Sequence, residues 1–282
     1  MGKRKMAAGS VIVAAVLCGM VLPTRADYTN GLVARWTFDY ADKTFDDIGA
    51  NSVLTVSNGV TFSKVVTFGP GPGFPVSHGL AAFDGTTTAL LNAGRGTNAE
   101  LDITPALTIW MRANLNVTGT WHSLATRWGT TATNQSYIWY VRPPTLCNMQ
   151  MSQRFRTYTN ATDYLQSADI ALPQYNYTNY YGSFHNVALV FNPTNAANYG
   201  AWKFYVDGTQ IAWATAYKLT NSVAGGYWNV GTWTSETEPL IFGYLLGEVD
   251  EIRVYNQVLG PTELNEIVPY VVLPSGVIIS FH

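Results

Sequence analysis

From Gly31 to Tyr255 the chain is cut into short apolar or alternating runs, each followed by Gly, Asn, Asp or Pro. That punctuation constrains the fold more than any other feature, because a run this short cannot make a helix of ordinary length but suits a strand. Leu32–Phe38, Leu107–Leu115, Trp121–Arg127, Tyr137–Val141, Met149–Phe155, Val187–Phe191, Ala201–Val206, Gln210–Ala216, Tyr227–Val230 and Gly247–Tyr255 all read as strands. No βαβ rhythm and no internal repeat accompany them. Many short strands with turn signals between them predict an all-β sandwich or barrel.

Some runs show which side faces inward. In Leu107–Leu115 the period of two puts Leu107, Ile109, Met111, Ala113 and Leu115 on one face. Thr108, Trp110, Arg112 and Asn114 share the other, a polar face with one large aromatic, as expected where a sheet meets solvent or a ligand. Asp207-Gly208 between two alternating runs predicts a tight hairpin, since a type I′ turn needs positive φ at both central positions. Pro261 opens a short helix over Thr262–Ile267, and Pro269 ends it. Gly69–Gly73, Gly-Pro-Gly-Pro-Gly, reads as a stiff loop without the strand–glycine–helix setting of a phosphate cradle.

The start of the chain points to export. Lys3, Arg4 and Lys5 precede an uncharged stretch from Met6 to Leu22, and Thr24-Arg25-Ala26 places small residues before Asp27. This is the three-part pattern of a secretory signal peptide spanning residues 1–26, with an uncleaved anchor helix as the alternative. The expected location is secreted, periplasmic or cell-surface. Cys18 follows Leu17 rather than a small residue, which speaks against lipidation. After cleavage Cys147 is the one remaining cysteine, so no intrachain disulfide can form and packing must hold the sandwich.

Cleavage also removes four of the 16 basic residues, leaving 12 against 18 acids and a net charge of −6. An acidic surface poor in Lys and Arg excludes nucleic acid and disfavours polyanions such as heparin as partners. Charged residues are only 12% of the chain, so the surface is built mainly from Thr, Asn, Ser, Gly and Tyr.

Four stretches together resemble the laminin-G-like, concanavalin-A-like lectin/glucanase superfamily. Gly31-Leu-Val-Ala-Arg-Trp-Thr-Phe-Asp39 with Phe45–Asn51 is similar to its opening strand and Asp loop. Ala81-Ala-Phe-Asp-Gly85 leading to Leu107–Arg112 is similar to its Phe-Asp-Gly stretch and following strand. Phe184-His-Asn-Val-Ala-Leu-Val190 with Trp202–Gly208 resembles its central hairpin. Gly247-Glu-Val-Asp-Glu-Ile-Arg-Val-Tyr255 with Leu259–Leu264 resembles its closing strand and helix. The resemblance covers Gly31 to Ile267. It implies a two-sheet antiparallel jelly-roll sandwich over residues 27–269 with one short C-terminal helix, and leaves 270–282 as a tail or a packed strand. The superfamily includes lectins, adhesion domains and glycosidases, so fold alone does not fix function.

A glucanase needs two carboxylates flanking the scissile bond, about 5–5.5 Å apart in retaining enzymes. The resemblance implies alternating acids on the closing strand. Glu248 and Asp250 begin such a set, but Ile252 and Arg253 stand where a third acid belongs, and Glu251 turns to the opposite face in a regular strand. The expectation is a non-catalytic module, with a glycoside hydrolase as the alternative.

The resemblance further implies a structural calcium (Ca2+) on Asp47 and Asp250, with carbonyls of Gly49–Asn51. The competing account has Asp47 capping a turn and Asp250 bonding backbone amides or an arginine such as Arg35. His185 is expected to be structural. Surplus aromatics beside amides suggest a polysaccharide or glycan ligand, with Trp110, Arg112, Tyr177, Tyr180, Trp228 and Trp233 as contacts. A surface protein is the other partner class, and a structural envelope domain the remaining reading.

Overall fold

A computed structural model describes residues 28–38, 54–56, 59–68, 75–86, 91–95, 101–116, 122–128, 137–141, 150–154, 156–158, 164–166, 170–176, 182–193, 199–217, 227–231 and 245–267. The export segment, Asp47, the Gly69–Gly73 loop, Cys147, Tyr177, Tyr180, Trp233 and the tail from Tyr270 lie outside them.

The described strands are β1 (Leu32–Trp36), β2 (Thr55–Val56), β3 (Val60–Phe68), β4 (Pro75–Asp84), β5 (Leu91–Arg95) and β6 (Leu107–Leu115). They continue with β7 (His122–Trp128), β8 (Tyr137–Val141), β9 (Gln150–Arg154), β10 (Arg156–Tyr158), β11 (Tyr164–Gln166) and β12 (Ile170–Asn176). The last are β13 (His185–Pro193), β14 (Tyr199–Val206), β15 (Thr209–Tyr217), β16 (Tyr227–Val230) and β17 (Leu246–Tyr255), before the helix α1 (Pro261–Glu266).

All pairings are antiparallel. One sheet of eight strands runs β15-β14-β13-β6-β17-β4-β3, with β1 also on β17, and one of seven runs β12-β9-β8-β7-β16-β5-β2. A separate pair, β10-β11, completes the set. The expected two-sheet antiparallel sandwich with one short helix near its end is what the structure shows.

The inward faces meet in one apolar cluster to which both sheets contribute: Ile109, Met111, Leu189, Phe204, Ile252 and Val254 from one, Leu124, Trp139, Trp228 and Val230 from the other. Trp36 of β1 stacks on Trp228 of β16 with centroids 5.2 Å apart. The Trp228 indole donates to the Tyr137 hydroxyl at 3.1 Å. Burial pushes the Tyr137 phenol well above its usual range, so it stays a neutral partner.

The hairpin and helix form as the sequence predicts. Asp207 and Gly208 take φ of 47° and 72° between the paired Val206 and Thr209. The Glu263 carboxylate accepts the Gly260 N–H at 3.0 Å, at the start of α1.

Two features were not anticipated. The first is a second cluster on the outer face of the eight-stranded sheet. Trp110, Ala188, Val190, Tyr205 and Tyr255 there are covered by Leu259, Leu264 and Ile267 from α1 and its flanks. Thr108 fixes this roof, its hydroxyl donating to the Gln257 carbonyl at 2.8 Å and accepting the Leu259 N–H at 3.1 Å.

The second is a bulge in β17. Val249 pairs with Ala113 and Glu251 with Arg112, so Asp250 is the additional residue. It falls where β17 changes its other neighbour, from β4 along Leu246–Val249 to β1 along Ile252–Tyr255.

Candidate functional site

The bulge rearranges the acids of β17. Val249, Ile252 and Val254 all enter the core, which leaves Glu248, Asp250 and Glu251 on the outer side. Glu251 therefore does not turn to the opposite face, because the strand is not regular there. It is also not free to act on a substrate. It is 1% exposed, and its Oε1 accepts from Arg253 Nε at 2.6 Å and Arg35 Nε at 2.8 Å. Arg253 in turn lies over the Trp110 ring, 5.5 Å from its centroid. Glu248 accepts from the Asn114 amide at 3.2 Å. Catalytic carboxylates need an open cleft between them; these are spent on neighbours.

Asp250 is paired with an arginine, Arg112. Asp250 Oδ2 lies 2.9 Å from Arg112 Nε, and the guanidinium sits 5.4 Å from the centre of the Phe184 ring. A calcium ligand set of hard oxygens fits poorly around a carboxylate already holding a guanidinium. No group of three or more His, Cys, Asp or Glu able to hold a metal occurs among the described residues. Asp250→Ala is expected to lower stability by about 1–3 kcal/mol, equally in calcium and in EDTA. Thermal melts check this, and a cost confined to calcium would return Asp250 to a metal.

Ser183, His185 and Asp207 form a chain with the atom order of a nucleophile relay. Ser183 Oγ is 3.0 Å from His185 Nε2, and His185 Nδ1 is 2.6 Å from Asp207 Oδ2. The acid of such a relay works by being buried; Asp207 is 51% exposed. Its other oxygen accepts the Asn186 N–H at 2.9 Å. The arrangement ties the β14–β15 turn to the start of β13.

Of the sequence-based ligand contacts, Tyr177, Tyr180 and Trp233 lie outside the described residues; Trp110 and Arg112 share a face of β6, and Trp228 lies on β16. Trp110 is 1% exposed beneath the roof of α1, and Trp228 is 0% exposed in the core, stacked on Trp36. Both rings are taken up in apolar packing: alternation gave each a face but could not show what covers it. Arg112 keeps partial exposure on the eight-stranded sheet, engaged with Asp250.

A polar site the sequence reading missed lies on the outer face of the seven-stranded sheet. Trp228 and Val230 point into the core, so Asn229 between them points outward. It pairs with Thr126 of β7 on one side and Asn92 of β5 on the other, and Asn92 pairs with Thr55 of β2. The register thus sets Thr55, Asn92, Asn229 and Thr126 in a row across four strands. Ser123 and Tyr140, which pair with one another, belong to the same face, since Trp139 beside Tyr140 is in the core.

Asn229 and Thr126 are both 0% exposed. Neither the Asn229 amide nitrogen and oxygen nor the Thr126 hydroxyl has a hydrogen-bond partner. A buried polar group without a partner costs about 1–3 kcal/mol, and such groups are rare enough in native proteins to need a reason. Three such atoms on one cross-strand pair make this the least satisfied place among the described residues of that sheet. The signal in sequence was slight: one Asn between two core residues, and one Thr 103 positions earlier in the chain.

Searches for protein-family models and for characterised proteins similar in sequence find no match. Solved structures do match in fold. A botulinum neurotoxin type C structure, described as depending on two ganglioside molecules for cell entry, aligns with TM-score 0.52 and 11% identity over 84% of this chain and 50% of that one. The binding domain of botulinum neurotoxin serotype G aligns with TM-score 0.52 and 10% identity over 83% and 50%. Domain 4 of an extracellular arabinanase from Geobacillus stearothermophilus, in complex with arabinotriose, aligns with TM-score 0.48 and 14% identity over 84% and 97%. The chain spans about half the length of the two toxin structures. At these identities the likeness concerns the β-sandwich fold.

Proposed function

We propose that the protein is a non-catalytic glycan-binding module of the extracellular or periplasmic space, binding through the outer face of its seven-stranded sheet. The observation that carries this is the Asn229–Thr126 pair, with an amide donor, an amide acceptor and a hydroxyl left without partners. Sugar hydroxyls both donate and accept, and are suited to such groups. The solved structures described with arabinotriose and gangliosides are consistent with this use of the fold, and the N-terminal export pattern ending at Ala26 supports the location. The engagement of Glu248, Asp250 and Glu251 by Asn114 and arginines supports binding over hydrolysis.

A glycan-array screen of the chain from Asp27, run in calcium and in EDTA, tests the proposal. Selective binding of the same glycans in both is the expected result, since no group in the row needs a metal. Blank arrays under both conditions would overturn the glycan reading in favour of a protein partner. Binding lost in EDTA would bring back the calcium expected at Asp47 and Asp250.

A further inference from the structure

We infer that Trp213 is a stacking platform for one pyranose ring on the outer face of the eight-stranded sheet, with Lys203 and Gln210 bonding that sugar's oxygens. This second contact takes its ligand class, but not its place, from the glycan-binding reading.

The first ground is how Trp213 comes to face outward. Trp36, Trp110, Trp139, Trp202 and Trp228 are 0% or 1% exposed, whereas Trp213 is 62% exposed. Ile211 of β15 enters the core, and in a regular strand Trp213, two residues on, would follow it. The register slips instead: Tyr205 of β14 pairs with Gln210 and Phe204 with Ala212, so Ile211 is an additional residue. This bulge returns Trp213 to the outer face, opposite Lys203, which lies between the core residues Trp202 and Phe204. Bulges re-aim side chains and are frequent beside functional sites. β15 ends its sheet, so no further strand of that sheet flanks the indole.

The second ground is what surrounds the ring. Lys203 brings an ammonium with three donors. The Tyr205 hydroxyl donates to Gln210 Oε1 at 3.4 Å, which leaves the amide nitrogen of the exposed Gln210 to donate outward. A pyranose has C–H groups on its faces and oxygens around its rim. It can lie on the indole while its rim accepts from both side chains. Other occupants fit less well. A cation, which indole faces also attract, would meet the Lys203 ammonium. Glu263 of α1 lies near enough to join burial in raising the Tyr205 phenol, so a strongly acidic ligand meets both signs here. A protein partner needs roughly 800 Å² per side, and Trp213 and Val258 are the large apolar side chains left exposed among the described residues.

One stacked ring binds weakly, with a dissociation constant of about 1 mM or above, too weak for an array to register. Acrylamide quenching of tryptophan fluorescence in the chain from Asp27 therefore tests the platform, with Trp213→Phe as the blank that isolates the Trp213 signal. Neutral trisaccharides of β-linked glucose, galactose and mannose are added at millimolar concentration, beside sorbitol, which has hydroxyls but no ring. At least one trisaccharide should halve the quenching of Trp213, and sorbitol should not. Lys203→Met should raise the sugar required about threefold or more. Calorimetry with glycans selected on the array reports the seven-stranded sheet separately. An unprotected Trp213 while calorimetry records binding would overturn the platform and keep the proposed function. Protection with blank arrays would keep the platform and overturn the other face. Absence of both signals would overturn both. Equal protection by sorbitol would overturn ring stacking. Shielding of Trp213 that rises with protein concentration, without sugar, would replace the sugar by a second copy of the chain at the β15 edge.

Discussion

Replacing Asn229 by leucine is expected to raise the melting temperature by several degrees and abolish glycan binding together. The side chains are similar in size, so the strand register and the neighbouring Trp228 and Val230 need not move. What changes is that a fully buried amide with neither atom hydrogen-bonded gives way to an apolar group. Removing an unsatisfied buried amide recovers about 1–3 kcal/mol. For a domain of this size each kcal/mol shifts the midpoint by about 2–4 °C. A gain in stability paired with loss of binding is the signature of a group kept for function rather than folding. A lower melting temperature would show instead that the amide is satisfied in solution, as by an ordered water, and that its burial is structural.

The second large effect is expected at Glu251. Glu251→Ala removes the acceptor shared by Arg253 and Arg35. Arginine does not shed its proton in proteins, so Arg253, 0% exposed, would keep its charge and lose the carboxylate it holds at 2.6 Å. Breaking a buried pair in this way costs about 3–5 kcal/mol, a fall of roughly 6–20 °C in the melting midpoint. The loss should be larger than that of Asp250→Ala, whose partner Arg112 is 30% exposed and can turn to water. Denaturant unfolding of both variants checks the order. A Glu251→Ala cost below that of Asp250→Ala would mean that the Arg253 guanidinium finds another acceptor.

Alternation sets the bounds of β6, β8 and β16 to the residue, because each run carries core residues at every second position. It failed where that pattern is interrupted. β4 contains Gly79 and begins at Pro75, and β5 reads Leu-Asn-Ala-Gly-Arg, so neither shows a sustained apolar face. The Asp207-Gly208 hairpin was legible because positive φ is local chemistry. The bulge at Asp250 was not, since no glycine marks it and its cause is the change of neighbour along β17. Trp110 and Arg253 look like surface residues in their own strands and become interior only when α1, distant in sequence from Trp110, folds over them. The same limit hid Asn229: its neighbours in the chain are ordinary, and its isolation arises from the strands on either side.

The roof over the eight-stranded sheet also decides which way the molecule looks. Tyr28 and Ile267, at the two ends of the described domain, both pack into that second cluster, and the Tyr255 hydroxyl holds the Tyr28 carbonyl at 3.1 Å. Both connections therefore leave from the side opposite the polar row. Joined to a larger assembly through either end, the module would turn its seven-stranded sheet toward the surroundings. Copies strung along one polymer or set on one surface would then present their rows in the same direction, favouring many weak contacts made together.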